Sequence, residues 1–390
     1  MEYSKKQQEF LSLLDKRENI FLSGKAGTGK SFITKEAIKL IESSGRNVIA
    51  IAPTGVAANN IGGATIHSTF SLCPFGVLTF KTCNFLKSTK RDVLKKTDVI
   101  FIDEVSMVRP DILDALNWTL IKNGIKSLVD FQIVFIGDMK QLGIVADDNM
   151  VSMLLKEYDG TDFTKAKIYN ELNVVNIELD EVLRQSDEDF ITALNSVREG
   201  KKDEYFRQFS GLKKDGIVLA PHNSTVQKYN NDGFNLQQGE IFKFIATIDG
   251  KVKENDFNLD IEIKVKDGCK IMYLANSKNN NLFNGTLGVF RQENGNYFIE
   301  VGEEKFALEK KIFTKKEYVL SRKTNKLELM DIGSITQYPF KLAYALSIHK
   351  SQGLTFDECT IDLTLPCFAK GQMYVALSRV KTPQGLAIKI

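Results

Sequence analysis

The sequence predicts an α/β protein with two parallel-sheet domains, each carrying an insertion. Three observations lead there. The chain has 390 residues, long for one compact domain. Its first half alternates short apolar runs with helical stretches, and each apolar run ends in polar residues. A second region of the same character starts near residue 216, breaks off, and resumes near residue 341.

Taken in order, NIFLSG (19–24) is a strand ending in glycine, and KSFITKEAIKLIESS (30–44) is a helix stopped by Gly45. NVIAIAPT (47–54), DVIFIDE (98–104) and FQIVFIGD (131–138) are further strands. Their continuous apolar character suits burial on both faces of a parallel sheet, where ligands bind beyond the carboxyl ends. Residues 71–92 hold Cys, Pro, Gly and Lys without a period and read as a small insertion into the first domain. SDEDFITALNSVREG (186–200) predicts an amphipathic helix: Ser186 and Asp189 form a capping-box pattern, Phe190, Leu194 and Val197 share a face, and Gly200 ends it. GIVLAPHN (216–223), KLAYALSIHK (341–350) and ECTIDLTL (358–365) belong to the second domain. The material between has shorter, alternating strands, with a hairpin around the Asn294-Gly295 turn. The expected boundaries are 1–180 for the first domain, with its insertion at about 71–92, then 181–245 with 335–390 for the second, and 246–334 for a β insertion.

Hydrophobic residues make up 43% and charged residues 26%, the balance of an ordinary globular protein. Lys+Arg 52 against Asp+Glu 49 leaves a net charge of +3, so a polyanion would have to meet a local patch. Cys73, Cys83, Cys269, Cys359 and Cys367 include no C-x-x-C pair, which excludes a zinc ribbon and predicts free thiols in a reducing compartment. No run is apolar and long enough to span a bilayer, and the first residues resemble neither a signal nor a transit peptide, so the expected location is cytoplasmic with no membrane partner.

GKAGTGKS (24–31) matches G-x-x-x-x-G-K-S between a strand and a helix. Gly27 and Gly29 let backbone N–H groups curl around phosphate oxygens, Lys30 reaches the β- and γ-phosphates, and Ser31 offers its hydroxyl to Mg²⁺. A glycine-rich turn with an accidental lysine is the competing reading, and the strand–helix context opposes it. In VIFIDE (99–104), Asp103 is placed to hold magnesium through water and Glu104 to orient or deprotonate an attacking water, which points to hydrolysis. Gln141 in FIGDMKQL (135–142) is either a γ-phosphate sensor or a plain loop residue. Arg184 and Arg379 are candidates to neutralise transition-state charge across an interdomain cleft, or else surface arginines paired with a carboxylate such as Glu181.

TIHS (65–68) and SIHKS (347–351) combine hydroxyls with a histidine, the groups that grip sugar and phosphate without reading bases. Two such grips, one per domain, could hold one strand at two points and move it as ATP opens and closes a cleft. His67 and His349 could equally be capping or core histidines. His222 reads as a turn residue, Trp118 as helix packing, and KKIFTKK (310–316) as a solvated face.

Together these stretches resemble the petite-integration-frequency (PIF) family of superfamily 1B DNA helicases, relatives of the RecD and Dda helicases, over almost the whole chain. YSKKQQEF resembles the family's glutamine motif, GKAGTGKS motif I, APTGVAANNIGGATIHSTF motif Ia, IDEVSM motif II, and GDMKQL motif III. LDEVLRQSDEDFITALNSVREG resembles the family signature, AYALSIHKSQGLTFD motif V, and QMYVALSRV motif VI. The resemblance implies two RecA-like P-loop domains, a small wedge in the first and a Src-homology-3-like β-barrel in the second. It makes Gln7 an adenine contact. It gathers Gly24, Ala26, Gly27, Thr28, Gly29, Lys30, Ser31, Phe32, Gln141, Arg184, Gly353 and Arg379 at the nucleotide. It assigns Thr54, His67, Phe70, His349, Lys350 and Ser351 to single-stranded DNA. Motif III departs from the family's QLPPV, with Gly143 and Ile144 replacing prolines that would stiffen the loop. Ser347 stands where threonine is usual. The implied activity is an ATP- and Mg²⁺-dependent DNA helicase moving 5′ to 3′. Its expected partners are single-stranded DNA and tailed or forked duplex, engaged by a monomer, with G-quadruplex structures left open as a further candidate. A single-strand translocase and a nucleotide-gated DNA-binding switch are the rivals.

Overall fold

The computed structural model describes residues 3–25, 27–144, 146–180, 187–211, 216–250, 252, 257, 259–275, 282–321 and 323–390. The chain divides into two compact units. The first comprises Met1–Met139, Gly143–Arg184 and Lys316–Ile332; the second comprises Lys140–Leu142, Gln185–Lys315 and Gly333–Ile390.

In the first unit, α1 (Lys5–Asp15) opens with a capping box and buries Phe10 and Leu14. β1 (Ile20–Gly24), α2 (Lys30–Ser43), β2 (Val48–Ala52), α3 (Gly55–Asn60), β3 (Ala64–Thr65) and α4 (Ile66–Phe70) follow. Then come α5 (Ser88–Lys96), β4 (Val99–Ile102), α6 (Pro110–Lys122), β5 (Gln132–Gly137), α7 (Asp148–Tyr158) and β6 (Val175–Leu179). The strands form one parallel sheet in the order β3-β2-β4-β5-β1-β6. β2, β4 and β5 are buried along their whole length, as their unbroken apolar runs require. β3 and β6 were not expected. β3 has only two residues, and β6 alternates buried with partly or fully exposed positions, so neither shows a continuous apolar run.

Residues 71–87 contain only one short turn, Phe80–Thr82, and α5 begins inside the stretch read as the insertion. Leu72, Leu78, Cys83 and Leu86 anchor this segment in the core of the unit. Its backbone is pinned by side chains of α6 and its C-cap: Leu78 N donates to Asp111 Oδ2 and Leu86 N to Asn123 Oδ1, both at 2.7 Å. Phe75 and Phe85 remain 81% and 76% exposed. Residues 316–332 also pack in this unit. The Tyr318 hydroxyl accepts from Ala50 N at 2.8 Å, and Glu317 accepts from Ser68 Oγ at 2.9 Å.

In the second unit, α8 (Glu188–Arg198) buries Phe190 and Leu194, while Val197 is half-buried. Its N-cap is Asp187, which accepts from Phe190 N at 2.8 Å; Ser186, expected in that role, lies outside the described residues. β7 (Ile217–Ala220) and α9 (Asn223–Leu236) begin the core of the unit. The β insertion then runs through β8 (Phe242–Ile245), β9 (Thr247–Gly250), β10 (Glu262–Val265), β11 (Lys270–Tyr273), β12 (Leu287–Glu293), β13 (Asn296–Val301) and β14 (Glu304–Ala307). β15 (Lys311–Leu320), β16 (Leu327–Gln337) and β17 (Phe340–Leu342) complete it, with residues 316–332 of β15, β16 and their connection assigned to the first unit. Its strands therefore run from Phe242 to Leu342, beyond the expected 246–334 at both ends, because Phe244 and Phe340 help form its core. The Asn-Gly hairpin is present, with Asn294 at φ 50° and Gly295 at φ 82° between paired Glu293 and Asn296.

The chain then returns through β18 (Ala345–Ser347), β19 (Cys359–Asp362), α10 (Gln372–Leu377) and β20 (Leu386–Lys389). A second parallel sheet results, in the order β18-β7-β19-β20. Asp362, 1% exposed at the end of β19, accepts from the Tyr229 hydroxyl at 2.7 Å, Thr364 Oγ1 at 2.6 Å and Lys389 Nζ at 3.0 Å. Burial pushes this carboxyl up, but the donors from Thr364, Tyr229 and Lys389 outweigh it and hold the group at about 2. A depressed carboxylate stabilises the fold above its ordinary value of 3.8 and loses that contribution as pH falls toward about 2. Asp362→Asn is therefore expected to cost about 1–3 kcal/mol in urea unfolding at neutral pH. The deficit should narrow as the pH of the measurement is lowered from about 4 to about 2.

Candidate nucleotide and strand-binding sites

The loop after β1 is built for phosphate. A side chain at Gly24 would sit 2.8 Å from Thr28 Oγ1 and 2.9 Å from the Leu179 carbonyl oxygen, so only glycine fits. Gly27 and Gly29 adopt φ 83° and 80°, the left-handed region that turns successive N–H groups to one side. Thr28 is buried and its hydroxyl donates to Lys25 O at 3.0 Å, closing the loop. Lys30 Nζ folds back to donate to the carbonyls of Gly24 at 2.6 Å and Lys25 at 2.9 Å. Ser31 and Phe32 are exposed on the first turn of α2, and the Tyr3 ring lies 6.5 Å from that of Phe32. Ala26 lies outside the described residues. Gln7 is used structurally: it is 7% exposed, and its Oε1 accepts from Ser4 N at 3.1 Å within the capping box of α1.

Register brings the acidic pair alongside. β4 lies between β2 and β5, and Asp103 N donates to Ile51 O at 2.9 Å, which carries the strand path up to the carboxylates. Glu104 adopts φ 51° and ψ 45°, a left-handed conformation costly for a non-glycine residue and typical of functional sites. Burial, and then the neighbouring charge of Glu104, push the Asp103 carboxyl up to about 7, against the pull of Lys30 and Lys35. A carboxyl this crowded gains from a divalent cation, and the Ser31 hydroxyl and the Asp103 carboxylate are hard oxygen donors of the kind Mg²⁺ takes. Among the described residues no group of three or more His, Cys, Asp or Glu gathers to cage a metal, so nucleotide phosphates and water would complete its shell.

Gln141, Gly353 and Arg379 lie in the second unit. Gln141, in the loop after β5, is 8% exposed, and its Oε1 accepts from Gln352 Nε2 at 3.4 Å. A Cβ on Gly371 would come within 2.3 Å of Gln141 O, and Gly371 and Gly353 hold φ of 79° and 81°. Both glycines are therefore required by the backbone. Arg379, 2% exposed, donates to Val375 O at 2.9 Å, Leu354 O at 3.1 Å, Ser351 O at 3.4 Å and Ser378 Oγ at 2.8 Å. Its guanidinium thus ties α10 to the 351–354 turn, which corrects the reading of a surface arginine. Arg184 lies outside the described residues.

The strand-contact candidates divide. Thr54 caps α3 by accepting from Ala57 N at 3.2 Å. His67 is half-buried on α4, its pKa lowered by burial and then by Arg109. Phe70 is a correction: at 0% exposure it packs in the core, because the last turn of α4 faces inward. Ser351 is another: it is 0% exposed, and its hydroxyl donates to Ile348 O at 2.8 Å within the turn His349–Ser351. His349 is half-buried and Lys350 exposed on the same turn.

Sequence reasoning missed several residues near this turn. The ring of Phe368, 64% exposed, lies 5.0 Å from that of His222 and 5.8 Å from that of His349. Lys341 of β17, 7% exposed, lines a groove of about 440 Å³ with Asn223, Asn230, Ser347 and Lys350. Burial, and then Lys350, push its amine down to about 8. No local pattern marks these positions, since each acquires its neighbours only when β7, β18 and β19 pair. The nearest signal was His222, which follows an apolar strand just as Asp103 does.

A family model described as PIF1-like helicase matches residues 4–208. A Campylobacter jejuni protein named ATP-dependent DNA helicase Pif1 is 30% identical, over 95% of this chain and 88% of its own length. The human protein named ATP-dependent DNA helicase PIF1 is 30% identical over 99% of this chain, which spans 60% of that relative. Among solved structures, unliganded Pif1 from Bacteroides sp. superposes with a TM-score of 0.86 at 33% identity, covering 100% of this chain and 92% of that one. Pif1 helicase from Candida albicans superposes with a TM-score of 0.73 at 26% identity, covering 100% and 95%. A phosphate loop, a strand-end acidic pair and this breadth of similarity lead to one conclusion: the chain belongs to the PIF1-like helicase family.

Proposed function

We propose that this chain is an ATP-hydrolysing DNA helicase that moves 5′ to 3′ along a single strand and separates duplex ahead of it. The observation that carries the reading is the pairing, in one unit, of the Gly27–Gly29 phosphate loop and Lys30 with the crowded Asp103–Glu104 carboxylates. Related proteins support it: Bacteroides Pif1 has been crystallised with ADP-AlF4 and with single-stranded DNA, and a further Pif1 structure is described as the basis for DNA unwinding at forked duplex by two coordinating helicases.

In this proposal Lys30 exchanges the Gly24 and Lys25 carbonyls for phosphate oxygens, so its ammonium is already poised over the loop. Ser31 directly and Asp103 through water would hold magnesium, which would supply neutralisation of charge on the terminal phosphates. Glu104 orients the attacking water and takes its proton, with its strained backbone fixing the aim of the carboxylate. Arg184 and Arg379 are the proposed transition-state cations. For Arg379 that role requires giving up part of its bonding to the 351 and 354 carbonyls, so it would couple phosphate chemistry to the turn bearing His349 and Lys350. His67 in one unit, and His349 with Lys350 in the other, are the proposed grips on the strand. Phe75 and Phe85 are the proposed splitting surface, their rings left exposed on a pinned loop. A monomer acting in the cytoplasm completes the reading; the five cysteines are free thiols, and among the described residues no helix is long and apolar enough to cross a membrane.

Strand separation on 5′-tailed against 3′-tailed duplex, with ATP hydrolysis measured with and without single-stranded DNA, tests the proposal. Unwinding of the 5′-tailed substrate is expected. Stimulated hydrolysis without unwinding would favour a translocase, and DNA binding without turnover a switch. Lys30→Ala is expected to abolish DNA-stimulated hydrolysis, and Glu104→Gln to lower it by about 10²–10⁴-fold. A Glu104→Gln variant turning over at the parent rate would remove Glu104 from the mechanism. Replacing His349 and Lys350 together with alanine should weaken single-strand binding and reduce its salt dependence by about 0.7 in log–log slope, the share of one lysine.

A further inference from the structure

We propose that Phe368 is a base-stacking platform, so that the second unit holds a nucleobase of the single strand as well as its phosphates. The inference rests on the strand-binding reading above and goes beyond it, because the grips assigned to His67, His349 and Lys350 address sugar and phosphate.

Phe368 is 64% exposed, and it is set among two histidine rings and an exposed lysine rather than standing alone. The backbone that presents it is fixed from two sides. Phe368 N and Ala369 N both donate to Gln372 Oε1, at 3.0 and 3.3 Å, and Gln372, 0% exposed, donates through Nε2 to Pro221 O at 3.3 Å. This buried amide stitches the Phe368 loop to the end of β7. From the other side, His222 Nε2–H donates to the Pro366 carbonyl at 3.0 Å. The ring is therefore held outward by a preorganised loop, and presenting it to a ligand costs little conformational entropy.

The surroundings select a base. The His349 ring lies nearly parallel to Phe368, at 22° and 5.8 Å, while His222 is tilted at 46° and 5.0 Å, so three aromatic rings cluster at the exposed Phe368. Burial lowers the pKa of His349, which keeps its imidazole neutral near pH 7 and able to act as a flat apolar face. Lys350, the next residue along the turn, is exposed and supplies the charge that a phosphodiester beside such a base requires. An aromatic face beside a cation is the arrangement by which single strands are held without sequence preference, because every base has a π-face.

The test compares a 5′-labelled oligothymidylate with an abasic oligomer of equal length, binding each to the full chain by fluorescence anisotropy. The parent protein is expected to prefer the base-bearing strand. Phe368→Ala should lose about 5- to 100-fold on that strand, the worth of one base stack, and little on the abasic one. Phe368→Trp should keep the preference. Phe368→Leu, which retains apolar bulk without a π-face, should behave like the alanine variant and guards against a folding effect. The salt slope should stay unchanged in all three, because no charge is removed. Equal losses on both oligomers, or parent-like discrimination by Phe368→Ala or Phe368→Leu, would overturn the platform. A parent protein that binds neither oligomer would instead overturn the strand-binding reading, and the platform with it.

Discussion

A strand buried on both faces of a parallel sheet can offer polar chemistry only at its ends, and both units of this protein are organised by that constraint. In the first, β1 pairs with β5 through Ser23 and Gly137, and β4 with β5 through Ile102 and Phe135. The phosphate loop, the Asp103–Glu104 pair and Asp138 therefore emerge at one edge. In the second, β7 pairs with β18 through Ala220 and Ser347, and with β19 through Leu219 and Ile361. That register sets His222, the His349–Ser351 turn and the Phe368 loop side by side, although 19 residues separate His349 from Phe368 and 127 separate it from His222 (349 − 222).

Backbone strain and buried donors concentrate at those edges. Glu104 occupies a left-handed conformation, and Gly27, Gly29, Gly353 and Gly371 hold positive φ where the chain must turn tightly. Arg379 is nearly inaccessible, yet it spreads its N–H groups over the carbonyls of Val375, Ser351 and Leu354 and the Ser378 hydroxyl. A buried guanidinium left without acceptors would be severely destabilising, so the turn bearing His349 and Lys350 cannot shift without disturbing α10. Gln372 plays the same part for Phe368, with neutral amide bonds. The second unit thus keeps Lys350 and Phe368 outward by burying the groups that hold their backbone.

The division between what was legible in sequence and what was not follows the range of the interactions. Strands β1, β2, β4 and β5, the α2 phosphate loop and the Asn294-Gly295 hairpin were readable because apolar runs, glycine positions and turn chemistry act over a few residues. Edge strand β6 was not, since half-exposed edges carry no continuous apolar signal. The helix at 188–198 was legible, but its capping residue shifted to Asp187, because the choice among neighbouring polar side chains depends on where the preceding chain arrives.

The order and spacing of local motifs were enough, from sequence alone, to indicate a nucleotide-driven motor with grips for a nucleic acid strand. Short-range chemistry dictates those features wherever the motifs occur. Tertiary structure alone decided which side chains face outward. Phe70 and the Ser351 hydroxyl, which share a motif with exposed neighbours, turn into the protein, while Phe368, between turn residues of no clear pattern, turns out. Burial is a property of the packed neighbours, and those come from strands far apart in the chain; no local spacing could have chosen among these residues.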